Sequence, residues 1–285
     1  MSQSRFHHHT PQYEASIGNF SLSYHLEMIK DQERVGRIKA ALDESLQPDG
    51  IHCELGIGTG LFAIYAASKC KKVYAVERDP SIFSFAKANI ERSPYAHKIE
   101  LILSDAMDFK PQEKADSLLV EMMSIWGINE PQVAIMNHAQ EHILKPKGQA
   151  IPGQIINLVE LGHYDFKVMD VHCETSIPQF TGVVAPRIMS CSTVFNRFDF
   201  TSLNQETIKD TITIESLLSG TINCARLSSL VQLSEQITFY STDSLMPQTI
   251  IPLNELAVKS GDQIQFSADF QVKSSLDESR FSISH

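Results

Sequence analysis

Three glycines at positions 56, 58 and 60 follow the short apolar run IHCEL (51–55) and lead into LFAIYAASK (61–69). Strand, tight glycine turn, helix is an order that few folds use. Without Cβ atoms the backbone turns sharply, and a ligand can approach it closely. The rest of the N-terminal half agrees with that start. Residues 24–42 have helical periodicity, with Leu26, Ile29, Ile38 and Leu42 near one face, and QPDG ends the run. KVYAVE (72–77) reads as a strand, and DPSIFSFAKANIE (79–91) as a helix with Asp79 as N-cap and Pro80 first. KIELILSD (98–105) and ADSLLVE (115–121) read as strands, and residues 129–144 as a helix stopped by KPKG. Strands alternating with helices predict a parallel sheet covered on both faces.

After AIPG (150–153) the texture changes. Residues 154–161, 190–200, 211–218, 221–235, 236–241, 246–253 and 262–272 are rich in Val, Ile, Thr and Phe and alternate in polarity. They predict antiparallel strands of a barrel or sandwich. The chain then divides into a flexible leader (1–20), an α/β domain with an N-terminal helix (21–152) and an antiparallel domain (153–285).

Composition bounds the function. With 42% hydrophobic residues in 285, the chain can bury a sizeable core, enough for one or two domains. Thirty-four acidic and 24 basic residues give −10, which argues against a grip on nucleic-acid phosphates and favours a cationic partner or simple solubility. Cys53, Cys70, Cys173, Cys191 and Cys224 are scattered, so free thiols in a reducing, cytoplasmic setting are expected and no metal site is predicted. No apolar run approaches the roughly 18 residues that cross a bilayer, and no signal core stands at the start. The triple His at 7–9 reads as loop or tag rather than ligand.

Glu77 closes its strand 23 residues after Glu54, where a carboxylate accepts hydrogen bonds from ribose hydroxyls. A purely structural turn is the competing reading. The spacing E-x-G-x-G-x-G is tighter than the G-x-G-x-x-G of dinucleotide enzymes. It resembles the class I S-adenosylmethionine (SAM) methyltransferases. That resemblance implies a Rossmann-like domain, SAM as cofactor with S-adenosylhomocysteine as product, and Glu54, Gly56, Gly58, Gly60 and Glu77 as cofactor-binding residues. It also places Asp105, in SDAMDF, near the adenine; a loop or N-cap role is the alternative.

Glu121 and Glu130 stand nine residues apart around a stretch without other charge. Two carboxylates aimed at one pocket are costly without a cation to pair with, and the substrate could be that cation. The spacing and place match the "double-E" loop of the protein arginine methyltransferases, which the whole of residues 20–270 resembles. HLEMIKDQER (25–34) is similar to that family's leading helix, and LKPKGQAIPGQIINLVEL (144–161) to its bridge into a C-terminal β-barrel. The resemblance implies Glu121 and Glu130 as catalytic residues, Arg34 pairing with the SAM carboxylate, His25 beside the cofactor, and a head-to-tail homodimer. Taken singly, Glu121 could instead be a solvated strand end and Glu130 a first-turn acid.

The chain departs from the family on the acceptor side. TDSLMPQTIIPL (242–253) lacks the family's Thr-His-Trp loop, Trp126 is the one tryptophan, and Asp31 has no histidine to pair with there. The early tyrosine pair is not reproduced by Tyr13 and Tyr24, and residues 173–191 are short for the dimerisation arm. The expected function is methyl transfer to a guanidino nitrogen of peptide arginine, free arginine or a small guanidino compound, without nucleic acid or membrane. An inactive SAM-binding scaffold and a small-molecule amine or hydroxyl methyltransferase are the alternatives.

Overall fold

The computed structural model describes residues 22–241 and 246–285. The leader, with its triple His and Tyr13, and residues 242–245 of the acceptor loop lie outside the described residues. The expected first helix is two, α1 (Leu22–Lys30) and α2 (Gln32–Ser45). Asp31 takes a non-helical φ/ψ of −71°/89° and accepts from the Arg34 backbone N–H at 3.0 Å, an N-cap that restarts the helix. The break turns the two apolar stripes apart. Ile38 and Leu42 are buried under the sheet, while Ile29 is 37% exposed.

Five parallel strands form the first sheet: β1 (Ile51–Leu55), β2 (Lys72–Glu77), β3 (Ile99–Leu103), β4 (Ala115–Val120) and β5 (Leu144–Ile151), in the order β3-β2-β1-β4-β5. Central β1 is buried along its whole length, as befits a parallel strand covered on both faces. The crossovers are α3 (Leu61–Ala67), α4 (Pro80–Glu91) and α5 (Gln132–His142). Asp79 caps α4 as expected, accepting from Ser81 and Ile82 N–H at 2.8 and 3.0 Å. The α5 helix begins at Gln132, so Glu130 lies in the loop before it and not in a first turn. Chain order reverses between β1 and β4, and the crevice at the carboxyl ends beside such a switch point is where open α/β sheets bind ligands.

The remaining strands are antiparallel: β6 (Gln154–His163), the short pieces β7 (Lys167–Val168), β8 (Val171–His172), β9 (Ile177–Pro178) and β10 (Arg187–Ile188), then β11 (Thr193–Asp199), β12 (Thr207–Glu215), β13 (Gly220–Gln232), β14 (Thr238–Tyr240), β15 (Thr249–Val258), β16 (Gln263–Gln271) and β17 (Arg280–Ser284). A seven-stranded sheet around β6, β13 and β15 and a three-stranded sheet β12-β16-β17 enclose Phe195, Phe198, Phe266 and Phe270 as a barrel. Within the expected arm, only two-residue strands β9 and β10 form, pairing with β15 and β6. Cys53, Cys70 and Cys224 are buried thiols, and Cys173 and Cys191 are exposed ones. No helix among the described residues is long and apolar enough to cross a membrane.

Candidate active site

The carboxyl ends of β1 to β4 open onto one cleft of about 1260 Å³ that is continuous with solvent. Its lining comes from residues between Tyr24 and Ile135, with no described barrel residue among them. Gly56, Gly58 and Gly60 carry φ values of 75°, 52° and 79°, left-handed geometry that L side chains seldom adopt. A Cβ on Gly56 would sit 2.3 Å from Met122 Cε, and one on Gly58 would sit 2.8 Å from the His25 ring. The loop is therefore packed against Met122 on one side and His25 of α1 on the other. Burial pushes the His25 pKa down, against the pull of Asp79, and favours the neutral ring.

Glu77 ends β2 with main-chain donors around it. Its Oε1 accepts from Arg78 and Asp79 N–H, each at 2.9 Å, and Oε2 from Gly58 N–H at 3.3 Å. Burial raises its pKa and these bonds pull it back. Glu54 is 4% exposed, its Oε2 has no hydrogen-bond partner, and burial followed by the charge of Glu77 lifts its pKa well above the usual carboxylate range. Asp105 borders the same cleft more loosely. Its Oδ1 accepts from Met107 N–H at 2.9 Å, and Arg78 Nη1 is 3.9 Å from Oδ2.

Glu121 stands one residue past the end of β4, and both it and Glu130 line the cleft. A cation does approach them, contrary to the reading of the local sequence. Arg34, 5% exposed at the start of α2, bonds through Nη2 to Glu121 Oε1 and rests Nη1 3.2 Å from Met28 Sδ. Burial raises the Glu130 pKa to about 7, with the Arg34 charge opposing the shift. That poises Glu130 between its two protonation states near neutrality.

Sequence reasoning missed what holds this loop. Ser124 Oγ accepts from the N–H of both Asn129 and Glu130 at 3.1 Å. Trp126 is wholly buried in a left-handed conformation (φ 59°), a cost of roughly 1–3 kcal/mol that surrounding contacts must outweigh. Its indole stacks on Phe195 at 4.8 Å, and Nε1 donates to the carbonyls of Leu158 and Ser228 at 3.0 and 3.1 Å. Its main-chain N–H donates to Ser229 Oγ, and its carbonyl accepts from Asn157 Nδ2. The loop bearing both glutamates is thus bolted into the barrel. A lone tryptophan between the two glutamates was the signal available for it.

This geometry meets four findings from comparison with known proteins. The TRM5/TYW2 methyltransferase domain matches residues 29–127. An uncharacterized protein of Methanocaldococcus jannaschii is 29% identical over 245 residues, covering 86% of this chain and 91% of its own length, and an arginine N(omega)-methyltransferase of Streptomyces achromogenes is 27% identical over 134 residues, covering 45% and 37%. The solved Trypanosoma brucei PRMT1 enzyme–prozyme complex with AdoHcy superposes with a TM-score of 0.76 over 93% of this chain and 99% of that one, at 14% identity. The domain match and the fold together support a class I SAM-dependent methyltransferase. More particularly, its Rossmann-like sheet followed by an antiparallel barrel is the fold of the protein arginine methyltransferases.

The residues present fit the donor this class uses. The glycine loop is a cradle that side chains would fill. Glu77 closes β2 where a ribose diol is bound in such sheets. The unpartnered, buried Glu54 Oε2 suits the positive end of a methionine moiety, and Arg34 suits its carboxylate.

Proposed function

We propose that the protein transfers a methyl group from SAM to a guanidino nitrogen of a cationic substrate. The observation that carries this reading is the meeting of Glu121 and Glu130 in one cleft with the cofactor-binding residues. When bound, SAM supplies an electrophilic methyl on a sulfonium and leaves as S-adenosylhomocysteine. A guanidinium stays protonated below a pKa of about 12 and is a poor nucleophile in bulk water. Glu121 accepts the N–H groups of its plane. Arg34 bonds only one Glu121 oxygen, and a carboxylate offers about four acceptor positions, so the pair leaves room for a second guanidinium. Glu130 draws positive charge toward the nitrogens that do not react, leaving lone-pair density on the one that does. As the N–C bond forms and the S–C bond breaks, the reacting nitrogen releases a proton. Glu130, held near pKa 7, is suited to take it. Orientation of this kind supplies roughly 7–11 kcal/mol of barrier reduction.

His25, Arg34, Glu54, Gly56, Gly58, Gly60, Glu77 and Asp105 hold the cofactor in this reading. The acceptor is a peptide arginine, free arginine or a small guanidino compound. The net charge of −10 and the carboxylates around the cleft disfavour a nucleic-acid substrate. Exposed Val168, Met169 and Val171 at the β7–β8 turn, with Val184, suit contact with a second copy of the chain. Turnover of SAM against arginine, small guanidino compounds and arginine-rich peptides, with mass spectrometry of the products, tests the assignment. A methyl on a guanidino nitrogen supports it; a methyl only on amine, hydroxyl or nucleobase acceptors overturns it.

A further inference from the structure

Gln132 is the first residue of α5, is completely buried, and uses both ends of its side-chain amide. Nε2 donates to the Val120 carbonyl at 2.9 Å, and Oε1 accepts from the Met122 N–H at 2.8 Å. Those are the peptide groups on either side of Glu121. A neighbouring strand would pair with position 121 through the same two groups, so the amide adds one rung beyond the end of β4. The same residue follows Glu130 by two positions, with the φ-restricted Pro131 between them. One side chain therefore ties the root of one carboxylate to the root of the other, while Ser124 Oγ pins the Glu130 N–H from within the loop. A buried primary amide persists only where its groups are hydrogen-bonded, and both bonds here go to this loop's backbone.

We propose that Gln132 is a positioning residue that sets the separation and direction of Glu121 and Glu130. Gln132 is not among the residues lining the cleft, so it acts through them. For its effect on turnover the inference rests on the guanidino reading above. Its effect on the loop does not.

Two variants test it. Gln132→Met keeps length and apolar bulk and removes both bonds. Gln132→Glu keeps the shape: its carboxylate still accepts from Met122, but it can donate to the Val120 carbonyl only when protonated. Binding of S-adenosylhomocysteine by calorimetry, amide exchange by mass spectrometry, and methyl transfer to whichever guanidino acceptor the wild type uses are measured on each. For Gln132→Met, cofactor binding stays near the wild-type value, exchange quickens over residues 120–124 and not over 51–60, and kcat falls by about 100-fold, the effect of a displacement of roughly 1 Å. For Gln132→Glu, the rate relative to wild type at the same pH rises as pH is lowered from about 8 to about 6, because a buried carboxyl protonates in that range. A purely structural role would lower thermal stability with kcat unchanged and a relative rate flat with pH, which overturns the inference. If Gln132→Met does not fold, the pH response of Gln132→Glu decides alone. If the wild type methylates no guanidino compound, the functional reading falls and the exchange arm decides: quickening confined to 120–124 upholds the crosslink, and none overturns it.

Discussion

The two halves of the cleft are held in different ways. On the side proposed to hold the cofactor, Glu77 takes its hydrogen bonds from main-chain N–H groups one, two and nineteen residues away, and the glycine loop is shaped by its own backbone. On the side proposed for the acceptor, Glu121 pairs with Arg34 from 87 residues earlier, and the loop between the glutamates hangs on Ser228 and Ser229, more than 100 residues later. The glycine loop, Glu54 and Glu77 are thus in place once one βαβ unit forms. The acceptor half exists only when α2, the sheet and the barrel have all docked. A fold built this way can vary the side proposed for the acceptor without disturbing the side proposed for the donor, and the sequence differences from the arginine methyltransferases fall on the acceptor side of that proposal.

Arg34 touches both halves, and its loss is expected to have the largest effect. Arg34→Met leaves Glu121 with a side chain 15% exposed and without its cation. Breaking such a pair costs about 3–5 kcal/mol, read from urea unfolding with the variant compared against wild type. Cofactor affinity and turnover should fall together. If stability and cofactor affinity both hold, the halves are not joined at Arg34.

A mirrored pair of variants separates the halves. Glu121→Gln should lower kcat by roughly 100- to 1,000-fold, the scale of removing one preorganised electrostatic group, with S-adenosylhomocysteine affinity little changed. Glu77→Ala should do the reverse, weakening cofactor binding by roughly 10- to 100-fold through lost bonds to a charged acceptor. Equal losses of binding and turnover in both variants would dissolve the distinction.

How much of this could be read from the sequence follows the same division. The glycine spacing, Glu54 and Glu77 were legible because strand, turn and helix lie within 30 residues and impose their own geometry. The Glu121–Glu130 spacing was visible as well. The Arg34–Glu121 pair was not, because it depends on where α2 packs, and the break at Asp31 that restarts the helix was hidden inside a continuous periodic pattern. Asp31, left without a partner on the sequence reading, turns out to be the cap of that helix. The roles of Trp126 and Ser124 were not visible in the sequence because their partners come from other elements or from the fold of the loop itself.

The acceptor half also carries a pH signature. The Glu130 pKa is raised from 4.5 to about 7, so the folded state holds a proton there that the unfolded chain has released. The stability linked to that proton is present below about pH 4.5 and is lost as pH rises through about 7. Glu54 and Glu77 are shifted in the same direction, so the difference between wild type and Glu130→Gln isolates the contribution. Unfolding free energies at pH 5 and pH 8 should fall more steeply for wild type; parallel curves would mean Glu130 titrates like a solvated carboxylate.

Trp126→Phe is the mildest probe. It keeps the aromatic packing and removes the indole N–H bonds to two barrel carbonyls, at a cost of about 1–3 kcal/mol. Turnover should drop modestly and cofactor affinity should not move. A change in cofactor affinity would show that the barrel reaches the donor half after all.

The central claim is that Glu121 and Glu130 hold a planar cation beside the donor's methyl carbon. A crystal structure with S-adenosylhomocysteine and an arginine-containing peptide or free arginine tests it most directly. The account predicts a guanidinium between the two carboxylates, hydrogen-bonded to both, with one nitrogen facing the sulfur. Either carboxylate turned to bulk solvent, with the acceptor bound elsewhere, would contradict it.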